Sequence, residues 1–106
     1  MFQVTQSAIQ QPIIDFQLVK KSASVLRALN HKYRQTILEK IAGQGSITVT
    51  DLYVALRDEQ SIVSQHLRIL REAAIVKAVR KGKFIYYQIN NQKIDNVQDG
   101  VTSILA

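Results

Sequence analysis

The chain has 106 residues, a length that fits one domain around one modest core. Fourteen Lys and Arg against eight Asp and Glu give a formal charge of +6, which points to an anionic partner without choosing among nucleic acid, acidic protein and membrane surface. No cysteine is present, which excludes disulfides, thiolate metal sites and thiol chemistry; the short apolar runs offer neither a signal peptide nor a membrane span, so a cytoplasmic location is expected.

Residues 1–15 are polar and Gln-rich, contain Pro12 and lack a clean period, and they read as a loose arm ahead of a single domain over 16–106. From Phe16 to Leu29, Leu18, Val19, Ser22, Val25, Leu26 and Leu29 recur at helical spacing, with Lys20, Lys21, Ser24 and Arg27 opposite. Asn30 is expected to cap a second helix whose inner face is Tyr33, Ile37, Leu38 and Ile41, and Gly43-Gln44-Gly45 ends it. Thr48 with Asp51 three residues on resembles a capping box, followed by Val49, Leu52, Ala55 and Leu56 as the apolar side of a short third helix, and Arg57-Asp58 makes a turn.

A fourth helix is predicted from about Gln60 to Ala73, with Val63, Leu67, Leu70 and Ala74 in one inward sector. Two β-rich runs, Ile75 to Arg80 and Phe84 to Ile89, flank Lys81-Gly82 as a tight hairpin with a densely basic tip. Ile94, Val97, Val101 and Ile104 then repeat at helical spacing, interrupted by Gly100, which predicts a short and weak closing helix. The fold class expected from this order is mainly α with a β-hairpin: a winged helix-turn-helix.

A helix reads the major groove when one face is anchored by packing and the other offers side chains of modest length to base edges. The fourth helix has this character: Gln60, Ser61, Ser64 and Gln65 stand near its start and Arg68 further along, where Glu and Lys would be the usual occupants of a merely solvated face. The tip residues Arg80, Lys81 and Lys83 suit contact with phosphates or the minor groove, although lysines on a hairpin also serve to discourage edge-to-edge association. His31 and His66 lack the companions that a metal site or a catalytic triad requires, so neither a metal, a cofactor nor an enzymatic role is expected.

The segment from Gln60 to Ala73, the wing Arg80-Lys81-Gly82-Lys83-Phe84-Ile85-Tyr86-Tyr87 and the upstream Ala28-Leu29-Asn30-His31 lead into Arg34 and Ile37-Leu38 together resemble the winged-helix repressors of the ArsR/SmtB family, over roughly residues 26–90. The resemblance implies a homodimer held by its first and last helices, binding double-stranded DNA at an inverted-repeat operator. It assigns base reading to Ser61, Ser64, Gln65 and Arg68 and wing contacts to Lys81 and Lys83. The apolar residues Leu18, Val19, Val25 and Leu26 of the first helix and Ile94, Val97, Val101 and Ile104 of the last suit the implied dimer contact. Many members of that family sense metals through cysteines on the third helix or His and acidic ligands on the last one. Here the third helix reads Asp51-Leu52-Tyr53-Val54-Ala55-Leu56, and the tail carries Asp95 and Asp99 without a histidine, so the usual metal-released mechanism is not expected and an inducer, if there is one, is something else. An alternative reading is a protein-interaction module without specific DNA binding, motivated by Ile62 and Ile69 on a flank of the fourth helix.

Overall fold

The computed structural model describes residues 13–106; the expected loose arm lies, for residues 1–12, outside the described residues. The elements are α1 (Phe16–Leu29), α2 (Lys32–Gln44), β1 (Ile47–Thr48), α3 (Val49–Leu56), α4 (Gln60–Glu72), β2 (Val76–Lys81), β3 (Phe84–Ile89) and α5 (Asn91–Leu105). The predicted order is therefore present, with one added strand.

Local chemistry sets most boundaries. The Asp15 carboxylate accepts from the Leu18 N–H at 3.1 Å and starts α1. Asn30 does not cap α2 as expected; its N–H closes α1 on the Leu26 carbonyl, and the extended His31 is the N-cap, its Nδ1 accepting from the Arg34 N–H. A break of only two residues leaves Asn30 on the α1 side of the turn. Gly45 ends α2 at φ 80, a conformation that a side chain would strain. Thr48 caps α3 through the Asp51 N–H, and Arg57 closes it in the left-handed region.

Ile37, Ile41, Leu52, Val63, Leu70 and Ile75 are fully buried, with Leu67 and Val76 nearly so, in a core enclosed by α2, α3, α4 and the start of the hairpin. Burying a side chain such as Leu70 contributes about 1.5–3 kcal/mol. Two expected core residues lie elsewhere. Ala55 is exposed on α3, and Ala74 is exposed beyond the end of α4, in a left-handed turn at φ 61 that leads into β2.

The sheet order is β1-β3-β2, all antiparallel. β1 pairs Ile47 with Tyr87 and Thr48 with Tyr86, so the hairpin root is stitched to the start of α3. Val76, Ala78, Tyr87 and Ile89 share the core-facing side of the hairpin, and Lys77, Val79, Tyr86 and Lys81 the other.

The closing helix is not short. α5 runs for 15 residues through Gly100, capped by the Asn90 side chain on the Lys93 N–H at 3.2 Å. None of its residues is buried; Ile94 rests on the core, and Val97 and Val101 are half-buried. Its partner α1 is similarly uncovered, with Leu18 61%, Val19 57% and Leu26 37% exposed.

Candidate nucleic-acid interface

The inward sector of α4 is locked: Val63, Leu67 and Leu70 have at most 2% exposure. At 100° per residue, Ser61, Gln65 and Arg68 fall within about 60° of one another on the opposite side, and all three are exposed. Gln60 is exposed at the first position, whereas Ser64 is half-buried on the flank. Glu59, the N-cap, makes no capping hydrogen bond with its side chain, and the first backbone bond of the helix is Val63 N–H to the Glu59 carbonyl. The amides of the first turn are thus left to solvent or to an incoming acceptor.

The helix is positioned by contacts that sequence reasoning missed. The Tyr33 hydroxyl on α2 donates to Asp58 Oδ2 at 2.6 Å, and Asp58 Oδ1 accepts from the Glu59 N–H at 2.7 Å, fixing the turn between α3 and α4 from both sides. Burial, followed by the hydrogen bond and charge of Asp58, pushes the Tyr33 phenol up to about 12. The same hydrogen bond, with that from the Glu59 amide, lowers the Asp58 carboxyl below its usual range.

Further along α4, His66 sits against Tyr33 and His31, with ring centroids 5.0 Å away in both cases. Arg34 Nη1 lies 3.3 Å from His66 Nδ1; because a guanidinium only donates, this hydrogen bond requires the neutral ring with its proton on Nε2. Burial first, then the electrostatic influence of His31 and Arg34, lowers the His66 pKa, with Asp58 opposing. Arg34 also donates from Nε to the Ala28 carbonyl at 2.7 Å and from Nη2 to the Arg27 carbonyl at 3.1 Å. One side chain therefore joins the C-terminus of α1 to α4. The only hint in the sequence was the position of Arg34 within the segment that carries the family resemblance.

The hairpin tip is a two-residue loop, Gly82-Lys83, with Lys81 still in β2, so the turn lies one residue beyond the expected Lys81-Gly82. Gly82 at φ 63 and no positive φ at Lys83 match a type II′ turn, which needs glycine at its first central position. Arg80 bends back, Nε donating to the Gly82 carbonyl at 3.1 Å, on the side of the hairpin opposite Lys81. The Lys81 ammonium lies 5.5 Å from the Tyr86 ring centroid and that of Lys83 5.9 Å from Phe84, leaving both cations displayed at the tip. Lys77, which was not singled out in the sequence, shares the outer face with Lys81; strand alternation was the signal for it.

On the flank offered for protein docking, Ile69 packs against the core, whereas Ile62 is exposed. Val25 and Leu26 of α1 face Val97, Val101 and Ile104 of α5 across an open cleft of about 230 Å³, whereas Leu18 and Val19 are exposed away from it and Ile94 rests on the core. Among the described residues, no three His, Cys, Asp or Glu side chains converge as a metal site would require, and no helix is long and apolar enough to cross a membrane.

Comparison with known proteins places this architecture. Residues 31–78 match the sequence model of "Bacterial regulatory protein, arsR family". The chain is 32% identical over 84 residues to the transcriptional repressor PagR of Bacillus anthracis, covering 79% of this chain and 84% of that protein. The crystal structure of PagR superposes with a TM-score of 0.66 at 30% identity, over 87% of this chain and all of the other. The solution structure of the homodimeric winged helix-turn-helix DNA-binding domain Mb0332 of Mycobacterium bovis, a possible ArsR-family regulator, gives a TM-score of 0.71 at 26% identity, covering 91% and 88% of the two chains. A winged helix-turn-helix built on the recognition-like α4 and the basic hairpin, with relatives at this level of identity and coverage, leads to one conclusion: the chain belongs to the ArsR family of bacterial regulatory proteins.

Proposed function

We propose that this protein is a homodimeric, sequence-specific repressor that lays two copies of α4 in successive major grooves of an inverted-repeat operator. The observation that carries the reading is the two-sidedness of α4: three core residues hold it rigidly while Ser61, Gln65 and Arg68 stand free on its outer side and Gln60 is exposed at its start. Ser64 serves from the flank, suited to a phosphate or a base at the groove edge. Lys81 and Lys83 supply sequence-independent phosphate contacts from the wing. Arg80, folded onto its own turn, stiffens the tip and adds charge there. Support for repression comes from PagR, and support for a dimer from the homodimeric Mb0332 domain.

In this reading the dimer forms through α1 and α5, covering Leu18, Val19, Val25 and Leu26 and, on α5, Ile94, Val97, Val101 and Ile104. It assigns no catalysis, no metal and no cofactor to the chain and places its work on cytoplasmic DNA. The interaction-module alternative is less favoured, because Ile69 is engaged with the core.

Footprinting on the DNA upstream of the protein's own gene tests the proposal. Two protected half-sites with centres about 10 base pairs apart, or a multiple of that spacing, are expected. A single diffuse footprint that moves with protein concentration would contradict it.

A further inference from the structure

A groove of about 700 Å³ opens between α1, the C-terminal end of α4 and the first turn of α5. Four cations line it, Lys21, Arg27, Arg34 and Lys93, against one carboxylate, Glu72. Its walls include the apolar Val25 and Ile69. Arg34 is half-buried, and its hydrogen bonds go to two backbone carbonyls and an imidazole, none to a carboxylate. Among the described residues three of its five N–H donors are engaged, so the guanidinium is held in one orientation with donors to spare and without a carboxylate hydrogen-bonded to it. The groove is separate from the DNA-reading end of α4, since Glu72 lies twelve residues, about 18 Å, from Gln60.

We propose that this groove binds a small amphiphilic organic anion: a carboxylate or phosphate on an apolar body, with the anionic head on Arg34, Arg27 and Lys21 and the apolar part against Ile69 and Ala73, which the proposed dimer contact leaves free. The volume falls within the range of about 300–1,000 Å³ usual for small-molecule sites, and the lining joins apolar walls to a few convergent polar groups. An occupant would touch α1, α4 and α5 together and would compete with His66 for Arg34. It would thus act on the joint between the apolar helices and the recognition-like helix. That control role rests on the DNA-binding reading; the site itself does not.

Nuclear magnetic resonance titration of the isotopically labelled full chain with octanoate, and separately with 1-octanol, tests the site without DNA. Octanoate should give saturable shifts at the Arg27, Ala28, Ala73 and Ala74 amides and at the Arg34 Nε–H, and 1-octanol should bind at least about tenfold more weakly. Replacing Lys21→Gln and Arg27→Gln together should weaken octanoate about tenfold, whereas Lys32→Gln with Lys40→Gln, which removes the same charge elsewhere, should not. Absence of saturable shifts, shifts confined to the Val97 and Val101 cleft, or equal affinity for the alcohol would each overturn the proposal. Octanoate binding as described by a protein without operator affinity would leave the site standing and remove the DNA reading instead.

Discussion

The Tyr33 hydroxyl and the Asp58 carboxylate, 25 residues apart in sequence, meet at 2.6 Å and tie the helix-turn-helix corner to α2. Tyr33→Phe keeps the ring against His66 and removes only the hydrogen bond, so urea unfolding should show a loss of about 1 kcal/mol. The Asp58 carboxyl is lowered below its ordinary value of 3.8 in the folded chain, so its contribution is present above that value and lost as the pH falls through the folded-state value. The Tyr33 phenol, raised to about 12, favours folding below its ordinary value of 10.0, and that contribution is lost as the pH rises toward 12. Tyr33→Phe should therefore flatten both the acid and the alkaline limb of the stability profile.

His66 titrates in the opposite sense from a histidine that gains a carboxylate partner. Its folded-state pKa is lowered, so the unfolded chain takes up the proton more readily and stability is full only above about 6.5. As the pH falls below that value, protonation would set His66 against Arg34, and the tie between α1 and α4 weakens. Urea midpoints compared at pH 7.5 and 5.5 should fall with acidification in the native protein and fall less in His66→Gln.

These two contacts show what was legible beforehand and what was not. The periods of α1, α4 and the hairpin were readable because each is long and one-sided, and Val63, Leu67 and Leu70 are buried as their spacing required. β1 has only two residues and carries no period, so nothing marked its pairing with Tyr86 and Tyr87. Gly100 costs about 1 kcal/mol in a helix, yet α5 continues through it to Leu105. Ala74 matched the inward sector by angle, but the helix had already ended at Glu72. For the candidate site, the exposed polar positions of α4 followed from periodicity, whereas Tyr33, Arg34 and His66 depend on long-range juxtaposition that a single chain does not display.

Ala74 at φ 61 holds a conformation that a side chain disfavours by about 1–2 kcal/mol. Its side chain is exposed, so little packing is lost on truncation. Ala74→Gly should be neutral or stabilising by up to about 1 kcal/mol, read from the thermal midpoint, with glycine's extra unfolded-state entropy offsetting part of the gain.

The dimer contact is testable at Val101, which is half-buried where α5 faces α1. Val101→Glu would bury an unpaired carboxylate in the proposed interface, at a cost of several kcal/mol, and should raise the dimer dissociation constant by about 100-fold or more. Sedimentation equilibrium checks this, and circular dichroism confirms that the monomer remains helical.

Wing and helix should fail differently. Lys81→Ala or Lys83→Ala should weaken binding to every duplex and reduce the salt slope by about 1 each. Gln65→Ala should cost about 1–3 kcal/mol on the best site and relax preference at one base pair. Competition binding against a panel of single-base operator variants separates the two.

Specific operator recognition is measured most directly by fluorescence anisotropy, comparing the upstream inverted repeat with a scrambled duplex of equal length over a range of salt. Preference for the native duplex by about a thousandfold at physiological salt is expected. Equal and steeply salt-dependent binding to both duplexes would mean that the +6 charge alone holds the DNA, and would contradict the account.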